Sequence, residues 1–289
     1  MRPDTSWVDR QAYPFQSRYV RLSPGEMHYL DIGTGEPVLL VHGTPTWSFE
    51  YRHLIAALST RFRCIAPNHF GFGLSERPPG FAYTPEAHAD ALAEFVETLG
   101  LDRLTLVVHD FGGPIALPLA LRSSPAVARV VVLNSWAWPL DDDPQLARAA
   151  RLIGGAAGRW LYKYANIEFR LIMPSAYGDR RKLTKAIYRQ YSEVFRDRHA
   201  RGQVLHTLAT SLLGSRNHYQ SLLDGMATLR RLPVLIVWGM KDSFFKPHYL
   251  ARWQLLVPEA TVVALPDAGH WPHEEDPAGV VEAIERFLN

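Results

Sequence analysis

The residues best suited to chemistry lie in four short segments, and each segment follows an apolar run. His109-Asp110-Phe111-Gly112-Gly113 follows the run 104–108. A tight turn from strand to helix exposes its central residue, and glycines around it let strand and helix approach closely. Such elbows usually hold serine. Here the central residue is Asp110, a carboxylate already ionised at neutral pH. The helix that follows would aim its free N–H groups at the reacting centre. Capping that helix is the plainer role for an aspartate. His42-Gly43-Thr44-Pro45 follows the run 38–41. It fits the loop that supplies one oxyanion donor, the residue after the nucleophile supplying the other. Those donors would be the main-chain N–H groups of Thr44 and Phe111. Gly239-Met240-Lys241-Asp242 follows 234–238, and Asp267-Ala268-Gly269-His270-Trp271 follows 261–265. Asp242 would accept the Nδ1–H of His270 and fix its tautomer, leaving His270 to activate a water. Singly, His270 reads as a surface histidine and Asp242 as a turn residue. Together, all three follow apolar runs in the chain order nucleophile, acid, histidine, the order found in α/β-hydrolases.

These segments need strands to carry them. Strands are expected at 27–32, 38–41, 62–66, 104–108, 130–133, 234–238 and 261–265, several of them wholly apolar as buried central strands are. Helices are expected at 49–58, at 85–99 with a proline near its start and Gly100 at its end, and at 113–122. Pro118 predicts a kink in the last of these. From 139 to 229 no buried-strand run occurs, and the segment reads as helix. Further helices are expected near 247–256 and 277–288. The fold class is therefore α/β: an α/β-hydrolase fold with a mostly parallel central sheet, helices on both faces and a helical cap. The expected division is 1–138 as the first part of the core, 139–229 as the cap and 230–289 as the second part of the core. Ligands of such sheets bind at the carboxyl ends of the strands.

The bulk properties narrow the function. The chain has 289 residues, 47% hydrophobic and 21% charged, with a net charge of +2. That suits one globular catalytic domain with an insertion and gives no basic footprint for nucleic acid or anionic membrane. The single cysteine, Cys64, excludes an internal disulfide framework. Neither an apolar N-terminal stretch nor a run of about 18 apolar residues occurs, so a cytoplasmic location is the default expectation. His273 with Glu274, Glu275 and Asp276 reads as a solvated helix start. Asp141-Asp142-Asp143 reads as a turn, and Gly71-Phe72-Gly73-Leu74-Ser75 as a tight loop beside the active site. No metal is assigned.

The motifs resemble those of the haloalkane dehalogenases. His42-Gly43-Thr44-Pro45-Thr46-Trp47-Ser48-Phe49, Gly71 to Ser75, Val107 to Gly113, Gly239 to Asp242 and Ala268-Gly269-His270 carry the resemblance. It spans nearly the whole chain and is weakest in the cap. The related epoxide hydrolases share the aspartate and the HG-x-P loop. The resemblance implies that Asp110 attacks a halogen-bearing carbon, forming an alkyl ester as halide leaves, and that a water activated by His270 hydrolyses it. It implies no metal or organic cofactor. The implied partners are a small apolar organic substrate and water, with the protein a monomer or small homo-oligomer.

The sequence departs from the family at the halide donors. The tryptophan usual after the nucleophile is Phe111, which has no N–H to give, and the usual asparagine in the HG-x-P loop is Thr44. Trp47, Trp136, Trp138 and Asn134 are the nearby candidates for a substrate and halide pocket, and Trp160 is the cap's own tryptophan. Epoxide opening, giving diols, is the alternative reading, and it would need a cap acid such as Tyr162, Tyr164, Tyr177, Tyr188 or Tyr191. A hydrolase-fold protein that only binds a small ligand is a second alternative.

Overall fold

The computed structural model describes residues 4–121 and 127–289. Met1 and the expected helix end at Arg122 lie outside them. Eight strands form one sheet in the order β1-β2-β4-β3-β5-β6-β7-β8. β1 (Arg18–Arg21) and β2 (Glu26–Ile32) are antiparallel, and β2 is antiparallel to β4 (Arg63–Pro67). All later pairings are parallel: β3 (Pro37–Val41), β5 (Leu104–Asp110), β6 (Val127–Ser135), β7 (Val234–Gly239) and β8 (Thr261–Leu265). Every residue of β5 and of β7 is buried, because helices cover both faces. β1 was not legible: its four residues, Arg-Tyr-Val-Arg, are only partly buried and show no apolar run.

Helices α1 (Arg52–Leu58), α2 (Pro85–Thr98) and α3 (Gly112–Leu121) follow β3, β4 and β5. The chain enters α1 through a short 3-10 turn, Ser48–Tyr51. Thr84 caps α2 by accepting from the Ala87 N–H, with Pro85 in its first turn. Between β6 and β7 the elements are all helical, from Pro144–Gly154 to Met226–Leu229. Asp143 caps the first of them, accepting from Gln145 and Leu146 N–H. Its neighbours pair with cations, Asp141 with Arg216 and Asp142 with Arg252. The acidic run is thus a turn and a cap. No helix of the described residues is long and apolar enough to cross a membrane.

Helix α3 continues through Pro118. A proline there cannot donate to the carbonyl four residues earlier, which belongs to Pro114. The His218 ring, from the helix Arg216–Asp224, fills that gap: Nε2 lies 2.8 Å from the Pro114 oxygen and must be the protonated nitrogen. The helix behind the elbow is thereby tied to the helical segment. His218→Leu leaves that carbonyl without its donor and is expected to cost about 1 kcal/mol, measured as a shift of the urea unfolding midpoint at unchanged slope.

Candidate active site

The site begins with a strained turn. Asp110 ends β5 at φ +49°, a left-handed conformation that costs a non-glycine residue energy. The turn survives because its surroundings leave no alternative. A Cβ at Gly112 would stand 2.1 Å from the Val41 oxygen, so only glycine lets α3 lie this close to β3. The Ser135 hydroxyl donates to the Asp110 carbonyl at 2.6 Å, holding the turn against the end of β6. Gly43 is required for a similar reason: a Cβ there would meet the Asp110 Cβ at 2.4 Å. The Thr44 N–H donates to Asp110 Oδ1 at 2.9 Å. Among the described residues it is the backbone donor that this carboxylate has. Phe111 contributes its ring to the cavity wall.

His270 faces two carboxylates. Nδ1 lies 2.8 Å from Asp242 Oδ2, and Nε2 lies 3.4 Å from Asp110 Oδ2. Burial opposes a charge on the ring, but Asp242 and then Asp110 outweigh it, pushing His270 up to about 10. The Asp242 carboxyl is destabilised by burial, yet His270, Asn134 and the Phe244 N–H hold it below its usual range. The His270 backbone is pinned on both sides: its N–H donates to the Ala176 carbonyl, and its carbonyl accepts from His109 Nε2 at 2.8 Å.

The cavity beside these groups has a volume of about 380 Å³. Asp110, His270, Thr44, Phe111, Phe244, Phe245 and Trp271 line it from the sheet side. Leu146, Ile153, Tyr162, Glu168, Ile172 and Leu205 line it from the helical segment. The walls are mostly apolar, so the space suits a small uncharged organic molecule.

The comparisons with known proteins agree with this picture. Residues 36–277 match the alpha/beta hydrolase fold family. A haloalkane dehalogenase 2 from Mycobacterium tuberculosis is 39% identical over 282 residues, spanning 96% of this chain and 97% of the relative. The chain belongs to the haloalkane dehalogenase family of the α/β-hydrolases. A cis-3-alkyl-4-alkyloxetan-2-one decarboxylase from Shewanella oneidensis is 34% identical over 289 residues, spanning 95% of this chain and 89% of its own. The crystal structure of the haloalkane dehalogenase DbeA from Bradyrhizobium elkani superposes with a TM-score of 0.85 at 22% identity, covering 95% and 97% of the two chains. At that identity the likeness speaks for the fold.

Several expected pocket residues of this dehalogenase-family chain lie elsewhere. Trp47 is buried among Trp7, Tyr13 and Phe49, and its Nε1 donates to the Gln190 carbonyl, so it staples the helical segment to the N-terminal arm. Trp138 stacks on Tyr249 and lines a separate groove of about 560 Å³ that contains neither Asp110 nor His270. Trp136 stands behind Phe111, edge to face at 4.9 Å, as a second layer to the wall. Asn134 is an orienting residue: Nδ2 donates to Asp242 Oδ2 and to the Gly239 carbonyl, and Oδ1 accepts from the Gly239 N–H. Trp160 is 57% exposed. In the loop expected beside the site, a Cβ at Gly73 would meet the Asn68 side chain at 2.5 Å, and no residue from Gly71 to Ser75 lines the cavity.

Two further corrections concern buried charge. His273, Glu274 and Glu275 are buried, not solvated. Glu274 pairs in bidentate fashion with Arg52 and accepts from the Tyr191 hydroxyl, while Glu275 accepts from the Gly269 and Asp179 N–H groups. Isolated sequence could not show this, because the partners lie up to 222 residues away. Behind His270, Glu50 meets His109 Nδ1 at 3.4 Å and His273 Nε2 at 3.7 Å, all fully buried. Burial pushes the Glu50 carboxyl up, but the facing rings of His109 and then His273 hold it well below its usual range. These three are the group among the described residues whose ligand atoms lie close enough for a metal ion, all within 4.8 Å of one another.

The raised His270 value has a consequence for stability. From an ordinary 6.5 to about 10 in the folded chain, the stabilisation is fully present below 6.5 and is lost as pH rises through 10. Melting temperatures measured from pH 6.5 to 10.5 are expected to fall more steeply for the wild type than for Asp242→Asn. Parallel curves would contradict the assignment.

Proposed function

We propose that this protein hydrolyses carbon–halogen bonds of small apolar haloalkanes to alcohol and halide, with Asp110 as nucleophile, His270 as base and Asp242 as its partner acid. The observation that carries the reading is the placement of His270 between two buried carboxylates at the wall of an apolar cavity. Asp110 Oδ2 attacks the carbon in line with the leaving halogen, giving an alkyl ester and halide. Oδ1 stays on the Thr44 N–H, which is then placed for the oxyanion of the second step. Ester formation also removes the Asp110 charge, one of the two that hold the proton on His270. The imidazole therefore releases that proton to solvent and is free to accept one from water only after the covalent step. The water attacks the ester carbonyl, and hydrolysis restores Asp110. The helices between β6 and β7 act as the cap that closes the far wall and keeps bulk water away.

The halide needs donors other than the missing tryptophan and asparagine. Trp271 lines the cavity next to His270, and its buried Nε1–H has no hydrogen-bond partner. The Trp136 Nε1–H behind Phe111 is also without a partner among the described residues, but Trp271 is the one of the two that lines the cavity, and its indole is the candidate donor for a leaving halide. Trp271→Phe is expected to lower kcat/KM for 1-bromobutane about tenfold and to weaken inhibition by added bromide, both read from halide release.

Asp110→Asn is expected to reduce bromide release from 1,2-dibromoethane and 1-bromobutane by at least about a thousandfold with the fold intact by circular dichroism. Unchanged turnover would remove Asp110 as nucleophile. In His270→Phe the alkyl ester is expected to accumulate, visible by intact-protein mass spectrometry as one added alkyl group per chain.

A further inference from the structure

Glu168 is a buried acid with no ion pair among the described residues. It opens the turn Glu168–Ile172 in the helical segment, is 6% exposed, and lines the cavity on the wall opposite the sheet. The other residues on that wall are apolar except for Tyr162, whose hydroxyl favours the charged carboxyl, and Ser175, whose hydroxyl donates to the Ile172 carbonyl. The charged groups it senses belong to the sheet side, Asp110 repelling its charge and His270 attracting it. A carboxylate in this position would stand unpaired near another carboxylate, which is costly in an apolar space. The neutral acid avoids that cost and leaves an O–H available to the cavity. Burial, which outweighs Tyr162, lifts the group to about 7. No part of the halide reaction uses this proton. A halide leaves as a stable anion and needs only hydrogen bonds, whereas an oxygen leaving group becomes a strongly basic alkoxide unless it receives a proton.

We propose that Glu168, beside Tyr162 in the cavity wall, is a proton donor to an oxygen leaving group, and that the same cavity therefore opens epoxides to diols. The proposal rests on Asp110 acting as the nucleophile. Asp110 Oδ2 attacks one epoxide carbon, the C–O bond breaks, and its electron pair takes the Glu168 proton, leaving a hydroxyalkyl ester and a Glu168 carboxylate. Water then attacks the ester carbonyl while His270 takes its proton. The bond between the Asp110 acyl carbon and the ester oxygen breaks, the departing alkoxide takes the proton from His270, and the diol leaves. Asp110 is left protonated, and that proton returns to Glu168, restoring both groups. The sum is epoxide plus water to diol, with no other reactant. Tyr162 is a positioning residue here.

The test measures diol formation from styrene oxide and 1,2-epoxyhexane beside bromide release from 1-bromobutane, with purified full-length protein. Glu168→Gln keeps the shape but cannot transfer a proton. It is expected to reduce diol formation at least a hundredfold and to shift the diol-to-bromide ratio at least thirtyfold. In the wild type, the ratio of the two kcat/KM values should fall as pH rises through about 7, because the acid form is lost. A ratio unchanged both by pH and by Glu168→Gln would overturn the donor role. Should Glu168→Gln fail to fold, the wild-type pH profile and Tyr162→Phe decide it. Bromide without any diol from the wild type overturns this inference and leaves the dehalogenase reading standing. Diol without bromide overturns the dehalogenase reading and leaves this one standing. If neither product forms, both fall.

Discussion

A single imidazole held between two buried carboxylates organises this molecule. His270 can occupy that place only if its backbone is fixed, and it is fixed by Ala176 on one side and His109 on the other. His109 in turn is held by Glu50, which sits at the start of the path into α1, and Glu50 also faces His273 from the chain beyond β8. The acid Asp242 is aimed by Asn134 at the end of β6. One base thus draws together the ends of β5, β6 and β7 and the segment after β8. Each link is buried, so losing one partner leaves a polar group with nothing to replace it, which is more damaging than losing a contact at the surface.

The positions of Asp110, Asp242 and His270 were legible because each depends on local pattern: an apolar strand, a tight turn and a residue type suited to the turn. The helical stretch was legible by the lack of strand runs, and Thr44 by its place in the loop after β3. What was not legible depends on contacts distant in sequence. Glu168 looks like any exposed helix glutamate until Tyr162 and the cavity wall are brought around it. Glu274 looks solvated until Arg52 arrives. Trp47 and Trp138 belong to motifs near the site in sequence, but a tryptophan in a strand-end loop can turn either way, and here both fill gaps between layers. Pro118 predicts a kink in its helix, but not that a histidine a hundred residues later would supply the bond the proline cannot make.

The cavity brings together two kinds of support. Its sheet side is rigid, built from strand ends and pinned by buried hydrogen bonds. Its far side comes from short helical turns, several of them wider than α-helical, including Glu168–Ile172 and Arg201–Leu205. Such wide turns are uncommon and tend to occur where a side chain must be re-aimed. The chemistry-bearing atoms that must keep fixed distances are on the first side, and the residues that meet the rest of the substrate are mostly on the second.

The order of elements along the chain has a bearing on how the protein is made. β6 is followed by about one hundred residues of helical chain before β7 exists to pair with it. At synthesis rates of roughly 5–20 residues per second, that interval lasts about 5–20 seconds. Through it, the Val130-Val131-Val132-Leu133 stretch of β6 has one side without a partner strand. An apolar strand left open in this way is the kind of surface that recruits other chains. The same insertion that builds half of the cavity leaves one side of β6 open until β7 is made.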